Sequence, residues 1–164
     1  IIASTRASGG VYEDRCGPVI VGWLNDRGMA TPAPVVVADG DPVEAALRSA
    51  LPDRHDVIIT SGGTGISPTD CTPQVTAALV DYQIPGLADA IRRAGLPHVP
   101  TSVLSRGVCG VAGRTLIVNL PGSIGGVRDG LGVLTDVLEH LDDVLATDPE
   151  GHVQSQALTG VIVH

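Results

Sequence analysis

The sequence contains no lysine and no phenylalanine among its 164 residues, and only one tryptophan and two tyrosines. Without lysine the chain cannot form the GxxxxGK[ST] loop that many ATP- and GTP-binding proteins use. The scarcity of aromatic rings argues against binding of single-stranded nucleic acid, which depends on base stacking. The core must therefore be built from valine, leucine, isoleucine and alanine.

Positive charge is also scarce, because ten arginines face eighteen acidic residues and the net charge is −8. This balance argues against nucleic acid or an anionic membrane as the main partner. No apolar run approaches the length of a membrane span. The three cysteines, Cys16, Cys71 and Cys109, contain no CxxC pair, which argues against a disulfide framework and a zinc site. They predict a reducing, cytoplasmic environment.

Short apolar runs alternate with segments of helical periodicity, which predicts one α/β domain over residues 1–164. Strands are predicted at 1–5, 35–38, 56–60, 108–111 and 115–118, with an edge strand at 157–163. Helices are predicted at 15–27, 41–51, 72–79, 87–94 and 127–145, with Asp41 and Thr72 as N-caps. The leucine stripe of the last helix either faces the core or forms a coiled-coil-like subunit contact.

The most informative stretch is a glycine-rich turn between a predicted strand and a predicted helix. Ser61-Gly62-Gly63-Thr64-Gly65 follows the strand, and the segment 70–73 (Asp-Cys-Thr-Pro) opens the helix. Such turns bind anionic ligands, because free backbone N–H groups and the helix dipole favour negative charge. The dinucleotide fingerprint GxGxxG fails here, since Pro68 replaces its third glycine. The alternative is a tight turn without a ligand, with Asp70 as a capping residue.

Two carboxylates are predicted beside this turn. Asp39 ends the second strand and Asp70 follows the glycines, so both lie at the edge where neighbouring parallel strands end. Carboxylates beside a phosphate-binding turn are natural Mg²⁺ ligands, although aspartates at strand ends also act as caps. Asp14 either serves the same edge or caps a helix. Ser123 either caps the last helix or contacts a ligand.

The cations nearest these loops are Arg6 and Arg128, either of which could instead be a solvated surface residue. The long loop at 96–106 is a further candidate for function. The five histidines show no spacing typical of metal ligands.

Three motifs in chain order resemble those of the MogA/MoaB-like family of molybdenum-cofactor biosynthesis proteins, which includes the pterin-binding domains of gephyrin-type proteins. Residues 60–65 and 70–73 resemble the TSGGTG…DxTPE signature. Residues 4–15 are similar to the SDRxSxGxYxD opening, and residues 120–123 are similar to the LPGSP segment. The resemblance runs from the first predicted strand to the last predicted helix.

The resemblance implies the molybdopterin-binding fold, a three-layer α/β/α arrangement with a mixed, mostly parallel sheet, usually in a homotrimer. It also implies a molybdopterin adenylyltransferase, which converts Mg-ATP and molybdopterin into adenylylated molybdopterin and pyrophosphate. By motif, Asp39 and Asp70 match the acidic residues assigned to Mg²⁺ binding and catalysis. The residues that match the binding segments are Ser61, Gly62, Gly63, Thr64, Gly65, Pro121, Gly122 and Ser123. Transient contact with other molybdenum-cofactor enzymes is expected as well.

The sequence departs from the family pattern at three places. Thr5 stands where the opening motif usually has aspartate, and Ile-Gly-Gly at 124–126 replaces proline and bulkier residues. A glycine separates Asp39 from Asp41, so Asp41 is the second possible match. The departure at Thr5 leaves a second hypothesis open, a molybdopterin-binding carrier without turnover. A third is the molybdate-insertion role of larger relatives, which combine this fold with further domains.

Overall fold

A computed structural model of the chain describes residues 1–11, 13–96, 98–146 and 160–161. The strands within these residues are β1 (Ile2–Ala3), β2 (Val36–Val37), β3 (Val57–Ser61), β4 (Tyr82–Gln83), β5 (Cys109–Ala112), β6 (Thr115–Leu120) and β7 (Gly160–Val161). The helices are α1 (Thr5–Ser8), α2 (Gly17–Asn25), α3 (Asp41–Ala50), α4 (Thr72–Leu79), α5 (Pro85–Gly95) and α6 (Ile124–Ala146), with 3₁₀ turns at Leu51–Asp53 and Pro100–Leu104.

The strands form one mixed sheet in the order β2-β1-β3-β6-β5-β4. Strands β2, β1, β3 and β6 are parallel, whereas β5 is antiparallel to β6 and to β4. The two strands predicted at 108–111 and 115–118 therefore form a hairpin. The predicted tail strand at 157–163 is described only at β7, which pairs in parallel with the start of β3; its other residues lie outside the described part of the chain.

The sheet is buried on both faces, because side chains of a strand point alternately to opposite sides. In β3, Val57 and Ile59 pack with the residues of α2, α5 and α6, whereas Ile58 packs with those of α3 and α4. Ile117 of β6 faces the same side as Ile58. Helices thus cover both faces of a mostly parallel sheet, which confirms the three-layer α/β/α prediction.

The leucine stripe of α6 lies against the sheet. Val127, Leu131, Leu134 and Leu138 are all buried in the cluster that contains α2 and α5. In this part of the helix the core-facing interpretation holds. The side chains of the predicted stripe beyond this point, at 141 and 145, lie outside the described part. No helix among the described residues combines the length and the apolar character needed to cross a bilayer.

Two predicted N-caps are wrong by one residue. Helix α3 has Gly40 as its N-cap, at φ 99° and ψ −145°, so Asp41 is already the first helical residue. Helix α4 has Cys71 as its N-cap and makes no side-chain capping bond, so Thr72 is the first helical residue. In both helices the proline then occupies the second helical position. It is tolerated there because the first N–H groups of a helix have no partner within it.

The segments that sequence patterns missed are short and polar. The single-turn helix α1 follows β1 where no helix was predicted, and its N-cap Ser4 accepts a hydrogen bond from the N–H of Ala7. Strand β4 is only two residues long and both are exposed, so no alternation of apolar residues marks it. The predicted long loop at 96–106 contains the 3₁₀ turn of Pro100–Leu104.

A buried polar network ties the centre of the sheet to α4 and to the end of the long loop. Asn119 of β6 is 2% exposed. Its side-chain amide donates to the hydroxyls of Thr60 and Thr76, each at 2.9 Å. Its side-chain oxygen, Oδ1, accepts a hydrogen bond from the N–H of Val108 at 3.1 Å. Because every partner is buried or half-buried, removal of this side chain leaves polar groups without hydrogen bonds.

We expect Asn119→Ala to lower the free energy of unfolding by about 2–4 kcal/mol, because it removes three hydrogen bonds inside the protein. Urea denaturation followed by circular dichroism measures this. The control is Asn25→Ala at the exposed end of α2, with an expected effect within about 0.5 kcal/mol. Equal effects of the two substitutions would contradict a stabilising role for the network.

Candidate functional site

A cavity of about 840 Å³ is lined by residues that follow the ends of the parallel strands β1, β2, β3 and β6. In the sheet, β1 lies between β2 and β3, so the connections that leave β1 and β2 run to opposite sides. The crevice at the ends of such strands is the usual ligand site of open α/β sheets. Every site residue predicted from the sequence lines this cavity: Asp39, Ser61, Gly62, Gly63, Thr64, Gly65, Asp70, Pro121, Gly122 and Ser123.

The glycine loop lies so close to β1 that its first two glycines cannot be replaced without strain. Gly62 and Gly63 have φ angles of 98° and 61°, which L side chains rarely adopt. A Cβ on Gly62 would overlap the carbonyl oxygen of Ala3. A Cβ on Gly63 would overlap Oγ1 of Thr72 and would lie 3.2 Å from Oδ1 of Asp39. That Thr72 hydroxyl is buried and has no hydrogen-bond partner among the described residues.

A side chain at Gly65, whose φ is not positive, would displace the carboxylate of Asp70. A Cβ on Gly65 would lie 2.8 Å from Oδ2 of Asp70. The same carboxylate oxygen accepts a hydrogen bond from the N–H of Ser67 at 3.2 Å. Asp70 therefore closes the turn 67–70 and does not cap α4. Its carboxylate is held directly against the glycine loop.

Asp39 reaches the loop from the end of β2. Its Oδ2 accepts hydrogen bonds from the backbone N–H and the hydroxyl of Thr5, at 3.0 and 2.8 Å. Its Oδ1 would lie 3.2 Å from a Cβ on Gly63 and has no hydrogen bond within the described residues. Asp41, the second possible match, is exposed at the start of α3 and does not line the cavity. Thr5 thus supplies a donor to Asp39 where the family pattern usually has another carboxylate.

The second predicted binding segment touches the glycine loop. The hydroxyl of Ser61 donates to the carbonyl of Pro121 at 2.9 Å. A Cβ on Gly122 would lie 3.1 Å from Cα of Gly62. Ser123 caps α6, since its hydroxyl accepts from the N–H of Gly126 at 3.1 Å, and it also lines the cavity. The two segments therefore form one continuous wall.

Asp14 lies just before α2, whose N-cap is Cys16, and both of its predicted positions, at the helix start and at the sheet edge, are observed. Its carboxylate accepts from the N–H groups of Cys16 and Gly17 at 2.9 and 3.0 Å. It also lines the cavity. Burial raises the pKa of the neighbouring Cys16 thiol, which keeps it protonated at neutral pH.

Arg106 contacts the glycine loop, although sequence patterns did not single it out. Its backbone N–H donates to the carbonyl of Thr64 at 2.8 Å. Its guanidinium donates from Nε to the carbonyl of Gly65 at 2.7 Å and from Nη2 to the carbonyl of Asp70. The one sequence signal was its place at the end of the long loop 96–106. Of the two arginines predicted near the site, Arg6 lines the cavity and Arg128 does not.

A family model described as a probable molybdopterin binding domain matches residues 1–140. The chain belongs to this family. The Mog protein from Mycobacterium ulcerans, a solved structure, is 68% identical and superimposes with a TM-score of 0.85, covering 88% of this chain and 95% of that chain.

Two curated relatives of the molybdopterin-binding family differ in length. The chain is 32% identical to the molybdopterin adenylyltransferase of Helicobacter pylori strain J99, over 87% of this chain and 84% of that protein. It is 33% identical to the molybdenum cofactor biosynthesis bifunctional protein of Synechococcus elongatus, over 94% of the present chain. The chain spans about half, 49%, of that bifunctional protein.

The carboxylates fit the magnesium ion that resemblance to the molybdopterin-binding family implies. Asp39 and Asp70 each use Oδ2 in a hydrogen bond to the protein, and each keeps Oδ1 without one among the described residues. The described residues contain no cluster of three or more His, Cys, Asp or Glu that could hold a metal by itself. Mg²⁺ is commonly held by one or two carboxylates together with substrate phosphates, which fits this donor set.

We expect Gly63→Ala to destabilise the protein by more than about 1 kcal/mol, because the new Cβ meets Thr72 at a left-handed backbone position. Gly132→Ala is the matched control, since a Cβ at that helical position meets nothing within 4 Å. It should stabilise by about 0.5–1 kcal/mol. Urea denaturation measures the free energy of unfolding of both variants. An unchanged stability of Gly63→Ala would contradict the tight packing of the loop.

Proposed function

We propose that this chain adenylylates molybdopterin with Mg-ATP, releasing pyrophosphate, as a step in the biosynthesis of the molybdenum cofactor. The observation that carries this proposal is the pair of carboxylates, Asp39 and Asp70, held against Gly63 and Gly65 of the glycine loop, each with one oxygen that makes no hydrogen bond among the described residues. The relatives named molybdopterin adenylyltransferase support the same reaction.

The reaction balances as a nucleotidyl transfer. An oxygen of the terminal phosphate of molybdopterin attacks the α-phosphorus of ATP, and a new P–O bond forms. The bond from that phosphorus to the oxygen bridging to the β-phosphate breaks, and pyrophosphate leaves with the electron pair. Both reactants are anionic, so positioning and charge neutralisation carry most of the catalysis.

The glycine loop would bind the phosphates of ATP through backbone N–H groups. Without Cβ atoms at Gly62, Gly63 and Gly65, a ligand can approach the main chain closely. The loop leads to the start of α4, whose dipole also favours negative charge. Asp39 and Asp70 would hold the magnesium ion, which, when bound, neutralises charge on phosphate oxygens.

The segment Pro121–Ser123 would contact molybdopterin. It lies at the start of α6, and the contact between Gly122 and Gly62 places it directly beside the phosphate loop. A molybdopterin phosphate held there would lie next to the phosphates of ATP. The cavity of about 840 Å³ has the size of pockets that hold drug-sized ligands.

A molybdopterin carrier without turnover is the second candidate. The observation that favours it is Thr5, whose hydroxyl occupies one oxygen of Asp39 where the family pattern usually has a carboxylate. A homotrimer, a cytoplasmic location and transient contact with other molybdenum-cofactor enzymes stay predictions. Size-exclusion chromatography with light scattering would test the first of these.

We expect the purified protein to release pyrophosphate only when molybdopterin, ATP and Mg²⁺ are all present, with adenylylated molybdopterin detected by mass spectrometry. Omission of each component in turn is the control. Tight binding of molybdopterin without pyrophosphate would instead establish the carrier. Binding of neither substrate would contradict both candidates.

Asp70→Asn and Asp39→Asn should each lower turnover by about a hundredfold or more, because the amide cannot supply the negative charge that holds the metal. Molybdopterin affinity and the unfolding transition should change little. Asp41→Asn is the matched control and should leave turnover unchanged, because Asp41 does not line the cavity. A loss of folding stability that accounts for all lost activity of Asp70→Asn would make Asp70 a structural turn residue.

A further inference from the structure

Arg106 connects the glycine loop to Asp70, which follows it in the chain. Its three donors reach the carbonyls of Thr64 and Gly65, and also that of Asp70, on both sides of the exposed turn 66–69. One side chain therefore sets the spacing between the phosphate loop and the carboxylate that follows it. No other described side chain donates to both of these places.

The guanidinium of Arg106 forms no ion pair with a carboxylate of the described residues. The side chain is half-buried. All its hydrogen bonds go to backbone carbonyls. The bonds orient these carbonyls towards the guanidinium, whose positive charge lies within hydrogen-bond distance of the loop. Both effects favour an anion at the loop.

A second arginine supports the position of the first. Arg92 of α5 donates from Nη1 to the carbonyls of Ser105 and Gly107, at 3.4 and 3.1 Å. These are the residues on either side of Arg106. The helix thus holds the segment 105–107, and that segment in turn holds the glycine loop. Through these hydrogen bonds the packed helix α5 restricts the motion of the glycine loop.

We propose that Arg106 is a positioning residue for nucleotide transfer, which acts through the carbonyls of Gly65 and Asp70 to hold the Asp70 carboxylate against the phosphate loop. This inference rests on the proposed function and adds a residue to it. The planar guanidinium is required, because donors on different nitrogens must reach two carbonyls at once. A lysine ammonium carries the same charge but is a single point that cannot span both.

The test compares Arg106→Ala and Arg106→Lys with Arg93→Ala. Arg93 is exposed on α5 and pairs with Asp89 on the same helix, so it is a matched arginine with no contact to the loop. Turnover, molybdopterin affinity and the Mg²⁺ concentration for half-maximal rate are measured for each. Hydrogen exchange of the peptide covering 62–71 is measured in parallel, with strands β5 and β6 as the internal reference.

We expect Arg106→Ala to lower kcat by about a hundredfold, since a displacement of about 1 Å in a site has such an effect. The Mg²⁺ requirement should rise several-fold while molybdopterin affinity stays within about twofold, because the residue acts on Asp70 and not on the pterin wall. Millimolar guanidinium chloride should restore part of the activity of Arg106→Ala, and sodium chloride should not. Arg106→Lys should keep the fold but remain impaired, and Arg93→Ala should match the wild type.

Three results would overturn the inference. The first is a folded Arg106→Ala or Arg106→Lys with normal turnover and a normal Mg²⁺ requirement. The second is a loss of activity that follows global stability alone and does not respond to guanidinium. The third is unchanged hydrogen exchange at 62–71. If the wild type forms no product, the proposed function fails by itself; the exchange result and Mg²⁺-dependent binding of a non-hydrolysable ATP analogue then decide on Arg106.

Discussion

The close approach of the glycine loop to β1 is the constraint on which the site depends. Gly62 lies against the carbonyl of Ala3, and Gly63 lies between Thr72 and Asp39. Any side chain at either position would push the end of β3 away from β1 and β2. The carboxylate that ends β2 would then no longer reach the loop. Main-chain contact between neighbouring strand ends, made possible by missing Cβ atoms, therefore brings residues far apart in sequence to one cavity.

The sheet below the loop is held by two different kinds of interaction. Aliphatic side chains of β3 and β6 alternate between two apolar clusters, which compensates for the near absence of aromatic rings. Near the C-terminal end of β6 the apolar packing is replaced by the hydrogen bonds of Asn119 with Thr60 and Thr76. A polar network fixes directions that apolar packing leaves free. The strand ends that carry the site are accordingly more precisely held than packing alone would achieve.

The electrostatics of the site are local and opposite to those of the whole chain. A protein of net charge −8 would repel nucleotides and phosphorylated pterins at long range. Within the site, however, backbone N–H groups, helix starts and the half-buried guanidinium of Arg106 all favour anions. The two aspartates are the exception, and each has one oxygen without a hydrogen bond among the described residues, which fits a bound cation. The groups that favour anions are thus confined to the loops of the site, within a chain that is acidic as a whole.

Much of this protein was readable from its sequence. Apolar runs and helical periodicity predicted the layered fold, and the strand–glycine–helix pattern placed the loop, because these signals are local and repeat along the chain. The N-caps of α3 and α4 were predicted one residue too late. At α3 the reason is the unusual backbone of Gly40, which depends on the surrounding fold. Strand β4, the Thr5–Asp39 contact and the contacts of Arg106 with the glycine loop were decided only by the tertiary structure. Each of these joins segments whose approach is set by the packing of the sheet and helices, and no spacing of residues along the chain records that approach.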